Sequence, residues 1–168
     1  LAPGVHVFDP TTGHETVGRP EPLRPLGQRA GQVLAWNNGK LGSYALADLR
    51  QGAERDLTSH GGLRLASLDD LDRRLFLFFS DGRLLVLDPD NLATIAERDF
   101  GQQIVSSLVP NPFNHHLYVT GPDPSGETEW TSQAYDLNTV NLIGPAPWPA
   151  ALAWPDQPPL ALGRDLLV

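Results

Sequence analysis

The chain has 168 residues, a formal net charge of −8, 40% apolar and 19% charged residues, and neither cysteine nor methionine. That much apolar content supports a packed core and excludes a disordered chain, and the absence of cysteine excludes disulfides, thiolate metal sites and cysteine nucleophiles. The cations are dispersed singly apart from Arg73–Arg74, so no basic stripe exists to neutralise phosphates, and no apolar run is long enough for a membrane-spanning helix.

In chain order, the first segment with a clear character is Val5–Asp9, an apolar β run that ends in Asp and enters a Pro10–Gly13 turn. Val33–Trp36 is a further strand, followed by an Asn37–Gly39 turn and a run from Ser43 to Asp48. Leu63–Leu68 alternates as a half-buried strand does. The continuous apolar run Leu75–Phe79 reads as a strand buried on both faces. Ser80–Arg83 carries the Asp-Gly hairpin signal, Leu84–Leu87 follows and ends at Asp88, and Ala93–Arg98 is a more polar outer strand. Next come a strand over Ile104–Val109, a Pro110–His116 turn, the strand Leu117–Thr120, and the run Gln133–Asp136. The C-terminal region predicts strands over Ala150–Trp154 and Leu160–Leu162, with Leu166–Val168 entering another.

Asp9, Asp48, Asp88 and Asp136 mark a unit of roughly 40 residues, and the last step is lengthened by the polar, turn-rich insertion Gly121–Glu129. Four strands in about 40 residues, with Gly and Pro at 16 each, define an all-β fold: a β-propeller of four-stranded antiparallel blades, about four in this chain. The blade units are 1–21 with 150–168, 22–59, 60–101 and 102–149, in a single propeller domain or propeller segment. The chain starts on a third strand and ends on first and second strands. N- and C-terminal half-blades therefore close one blade, or the chain is half of a ring completed by a second copy, or part of a larger ring. Leu1 follows either a removed leader or a truncation.

Val105–Gly121, with its proline-containing turn and Tyr118-Val119-Thr120, resembles the YVTN-type repeat, and Asp9-Pro10-Thr11-Thr12-Gly13 resembles the Asp-x-x-Thr-Gly turn of quinoprotein-like (WD40-like) β-propellers. Only one unit carries the Tyr-Val-Thr segment; Ala35-Trp36 and Phe78-Phe79 replace it elsewhere. The resemblance implies mostly extracytoplasmic bacterial proteins: surface proteins, binding scaffolds and a few lactonase-like hydrolases or lyases acting at a central channel.

The four aspartates read as turn residues whose carboxylates accept nearby backbone N–H groups. Asp88, Asp90 and Asn91 could offer oxygens to calcium, but their loop lacks the glycine and terminal glutamate of an EF-hand. No cofactor is expected. His6, His14, His60, His115 and His116 map to different parts of the unit and do not predict a metal centre. Trp36, Trp148 and Trp154 read as packing, whereas Trp130 ends the insertion and is a candidate interface anchor. The candidate binding residues are Asp123, Glu127, Glu129, Trp130, His115 and His116. The expectation is a non-catalytic module that binds a protein partner, periplasmic, surface-bound or secreted, with a homodimer or larger assembly completing the ring as a further expectation. The alternative is a hydrolase or lyase.

Overall fold

The computed structural model describes residues 5–19, 21–69, 71, 73–122, 130–146, 160–162 and 165–167. It divides into two compact units, Leu1–Gly61 and Gly62–Val168. Among the described residues the regular structure is all β, apart from one 3-10 turn at Thr58–His60.

The first unit holds a hairpin of β1 (Val5–Phe8) and β2 (Glu15–Arg19). It also holds a four-stranded antiparallel sheet of β3 (Arg24–Arg29), β4 (Gln32–Asn37), β5 (Lys40–Ala45) and β6 (Gln51–Asp56), in sequential order. Ala30-Gly31 and Asn38-Gly39 both take positive φ, the pair of left-handed residues that a two-residue hairpin turn requires. Leu23, Val33, Ala35, Tyr44 and Leu49 form the core, with Val7 and Val17 of the hairpin packed against it.

The second unit holds two sheets of the same kind. One is β7 (Leu63–Asp69), β8 (Arg74–Phe79), β9 (Arg83–Leu87) and β10 (Thr94–Asp99). The other is β11 (Ser107–Asn111), β12 (His116–Pro122), β13 (Trp130–Asp136) and β14 (Leu142–Pro145). β15 (Leu160–Leu162) pairs with β16 (Asp165–Leu167) in a separate two-stranded sheet. The Ala150–Trp154 strand, Trp148 and Trp154 lie outside the described residues. One continuous core joins the two larger sheets: Phe76, Phe78, Leu84 and Val86 from the first meet Leu108, Leu117, Val119 and Tyr135 from the second. Phe100, on the link between them, sets its ring edge-on to both Phe78 and Tyr135, at centroid distances of 5.9 and 5.4 Å. On β8 the alternate residues Leu75, Leu77 and Phe79 are buried as fully as Phe76, so this strand is covered on both faces.

Three corrections to the sequence reading follow. The strand expected to run to Asp48 ends at Ala45. The repeated turn is a backbone pattern: N–H of its first residue bonds the C=O five residues on, and N–H of its fifth residue returns to the first C=O. That pattern starts at Asp9, Ala45, Asp88 and Asp136, so Asp48 stands three residues late. The fifth residue is left-handed in every copy: Gly13, Leu49, Leu92 and Val140. Leu49, Leu92 and Val140 are almost fully buried, and core burial holds them in a conformation that costs a non-glycine residue free energy. A second correction concerns Ile104, expected in a strand; β11 begins only at Ser107, and Ile104 is 65% exposed. The third is the five-residue string Ala-Glu-Arg-Asp-Leu/Phe, which the spacing of the aspartates overlooks. It stands at 53–57 and again at 96–100, at the end of each outer strand.

That string has a clear structural use. Lys40 pairs with Glu54 at 3.0 Å, and Arg83 pairs with Glu97 in the same register. Asp56 and Asp99 each accept the N–H two residues on. Arg98 lies 4.8 Å over the Tyr135 ring and donates to the Val140 carbonyl at 2.9 Å, fastening β10 to the next sheet. Arg19 does the same in the first unit, over Tyr44 and to the Leu49 carbonyl.

Candidate functional site

Antiparallel pairing gives each sheet of the second unit two distinct ends. One end, here the turn end, carries the β7–β8, β9–β10, β11–β12 and β13–β14 turns. The other, here the link end, carries the β8–β9 hairpin, the 123–129 insertion between β12 and β13, and the 100–106 link between the sheets.

At the turn end, side-chain hydrogen bonds reinforce the backbone turns, as they do in the first unit. Asp136 Oδ1 accepts N–H of Asn138 (3.0 Å) and Thr139 (2.8 Å) and the Thr139 hydroxyl (2.9 Å). The Thr139 amide is the main cause holding this carboxyl below its usual range. Asp9 Oδ1 accepts N–H of Thr11 and Thr12, which lowers its pKa in the same way. Asp88 accepts from Asp90 N–H, and Asp48 from Arg50 N–H. The oxygens considered for calcium are engaged locally: Asn91 Oδ1 accepts Ala93 N–H, and Asp90 pairs with Arg73. Among the described residues, no three His, Asp or Glu side chains stand close enough to hold a metal ion.

His115 and His116 belong to this end and diverge. His115 is left-handed and exposed, and its carbonyl accepts Leu137 N–H at 2.9 Å. His116 opens β12, with Nδ1 3.3 Å from the Tyr118 hydroxyl and its ring edge-on to Tyr118. The same hydroxyl, on a residue only 1% exposed, accepts from Asn114 Nδ2 at 2.7 Å. His116 therefore helps to satisfy a buried phenol.

Trp130 lies at the other end. It pairs with Pro122 where β13 begins, at the base of the insertion. Asp123, Glu127 and Glu129 lie outside the described residues. β12 runs its full length between His116 and Pro122, roughly 20 Å at strand rise. The histidine pair and the base of the insertion therefore cannot share one small ligand.

At the link end Asp99 accepts Gly101 N–H, Asp81 accepts Arg83 N–H, and backbone packs on backbone. Gly82 C=O accepts Phe100 N–H at 2.9 Å, and a Cβ on Gly82, whose φ is +85°, would collide with the Gly101 carbonyl. Ser106 N–H reaches Thr120 C=O, and a Cβ on Gly121 would collide with the Ile104 carbonyl. The base of the insertion thus packs directly on the link. Beside it lies a half-open depression of about 190 Å³, lined among others by Arg64, Ser80, Gln102, Gln103, Ile104 and Val105. Sequence reasoning missed it. The available signal was Gln102-Gln103-Ile104, two amides and a large apolar residue next to a glycine, of which Ile104 was read as the start of a strand.

Sheets of four sequential antiparallel strands, repeated about every 40 residues and joined from outer to inner strand, define a β-propeller fold. The sequence matches no protein-family profile and no curated protein. Solved propellers share the architecture at low identity. The computationally designed Ika8 protein aligns with a TM-score of 0.62 at 14% identity over 81% of this chain and 41% of its own. The designed Ika4 protein gives 0.62 at 13% identity over 92% and 88%. BamB from Moraxella catarrhalis gives 0.54 at 16% identity over 84% and 46%. The chain thus spans less than half the length of Ika8 and BamB but most of Ika4, and at these identities the likeness is one of fold.

Proposed function

We propose that this chain is a propeller-type binding or scaffold module that engages a protein partner through the link end of its second unit. One observation carries the reading. The 123–129 insertion, a long departure from the repeat, is flanked by Gly121–Pro122 and Trp130, and Gly121 packs against the link that walls the depression. Loops on a rigid sheet are where contacts are most readily built, because the sheet fixes their bases while their sequence is free to vary. Asp123, Glu127, Glu129 and Trp130 give the insertion acidic and aromatic character suited to a polar rim around an anchor. An extracytoplasmic location belongs to the same proposal and rests on the YVTN-like resemblance, and an assembly of more than one chain is proposed with it. The hydrolase or lyase reading has no comparable support. The groups it would draw on, Asp9, Asp88, Asp136 and His116, are bonded to their own turns and to Tyr118.

The test replaces residues 123–129 with a two-residue Asn-Gly turn and compares partner capture with the intact protein at equal folded concentration. Loss of a partner that the intact chain retains supports the proposal. Undiminished capture of every partner removes the insertion from the binding surface.

A further inference from the structure

The depression at the link end has a chemistry of its own. The chain carries 20 acidic and 12 basic residues, yet among the described residues the wall of this depression holds an arginine and no carboxylate. Lys40, Arg19, Arg73 and Arg83 each have an acidic partner; Arg64 has neither an ion-pair nor a hydrogen-bond partner among the described residues. Its placement comes from a break in the ladder. On β7, Leu63 pairs with Phe79 and Leu65 with Phe78, so Arg64 is the extra residue of a β-bulge. A bulge leaves its residue outside the pairing and re-aims the side chain, here onto the wall of the depression. The surrounding groups are amides and a hydroxyl from Gln102, Gln103 and Ser80, with the exposed side chain of Ile104 at the edge.

We infer that this depression is a carboxylate subsite: the Arg64 guanidinium takes a carboxylate of a bound polypeptide, Gln102 and Gln103 complete its hydrogen bonds, and Ile104 packs on an apolar group beside it. A guanidinium fork matches a carboxylate with two parallel N–H···O bonds, and the amides can donate to the same oxygens. A volume of about 190 Å³ is smaller than a whole small-molecule pocket and suits one residue of a chain. The inference deepens the proposed function and rests on the link end being the binding face. It specifies the ligand group, which loop deletion alone does not.

The probe is N-acetyl-leucine, which carries one carboxylate and one apolar side chain, titrated at constant pH and ionic strength against ¹⁵N-labelled full chain. The side-chain amide signals of Gln102 and Gln103 are followed. The expected result is a saturable shift with a dissociation constant of order millimolar, as suits a small fragment. N-acetyl-leucinamide, which lacks the charge, and the Arg64→Gln variant should each bind about tenfold more weakly. A second arm uses the α-amide of N-acetyl-glutamic acid. Tighter binding of this probe assigns the subsite to an acidic side chain, and tighter binding of N-acetyl-leucine assigns it to a chain terminus. No saturation by either carboxylate, or equal shifts with the uncharged amide or with Arg64→Gln, overturns the inference. Because the probe needs no partner, that failure is distinct from failure of the loop-deletion test.

Discussion

The two ends of the second unit combine backbone and side-chain hydrogen bonds differently. At the turn end, side chains reinforce backbone turns: Asp136, Asn111, Asn114 and Tyr118 all bond to neighbouring backbone or to each other. At the link end, Asp81 and Asp99 cap neighbouring N–H groups, and backbone ties the link to the strands through Gly82 to Phe100 and Ser106 to Thr120. Glycine permits this, since Gly82 and Gly121 let strands and link touch with no Cβ between them. The consequence is functional. At the turn end, Asp136, Asn111, Asn114 and Tyr118 are engaged in holding the turns. At the link end, beside the Asp81 and Asp99 caps, Arg64, Gln102, Gln103 and Ile104 line a depression.

The largest expected effect breaks the link end, where backbone packs on backbone. Gly82→Ala places a methyl against the Gly101 carbonyl in a left-handed backbone and should destabilise the protein by about 3 kcal/mol or more, read by urea denaturation. Tyr118→Phe tests the other end: it strips the hydroxyl that Asn114 and His116 share and should cost about 1–2 kcal/mol. Asp136→Ala removes three accepted hydrogen bonds and should cost roughly 1–2 kcal/mol at neutral pH, against less than about 0.5 kcal/mol for Asp48→Ala, which accepts one at an exposed site.

The Asp136 contribution also carries a pH signature. Its carboxyl is held lower in the folded state than its usual value of 3.8, first by Thr139 N–H. Its stabilisation is therefore fully present above that value and is lost as pH falls through the folded one. Stability curves below about pH 4 should be less steep for Asp136→Ala than for the unaltered chain. The smallest effect on stability belongs to Arg64→Gln, within about 0.5 kcal/mol, because the side chain is exposed and holds nothing among the described residues. A large destabilisation there would erase the contrast between the two ends.

Legibility in the sequence follows the same division. The strands of the β7–β10 sheet could be read almost to the residue, because Leu75–Phe79 and Leu84–Leu87 are apolar runs bounded by Asp-Gly and Asp-Pro turns. The turn aspartates were visible because an Asx carboxylate leaves a residue-level mark. Asp48 misled for the complementary reason: the turn is set by backbone bonds and a buried left-handed Leu49, so Ala45 can fill the position without a carboxylate. The link end was the least legible. Its contacts between strands and link use main-chain atoms, which every residue has, and a bulge at Arg64 shows only as a slip between two paired strands. The repeated Ala-Glu-Arg-Asp string was within reach and marks the outer strands more faithfully than Asp48 does.

The most direct test uses two matched side chains at opposite ends of the second unit. Ile104 is 65% exposed on the link, and Phe113 is 54% exposed in the β11–β12 turn. Neither substitution to Asp buries a charge, so both variants should fold. The measurement is recapture of a purified partner of the intact protein by Ile104→Asp and Phe113→Asp at equal concentration. The account predicts that Ile104→Asp binds at least about tenfold more weakly while Phe113→Asp binds like the unaltered chain. Retained binding by Ile104→Asp together with loss in Phe113→Asp would place the functional face at the turn end and contradict the account.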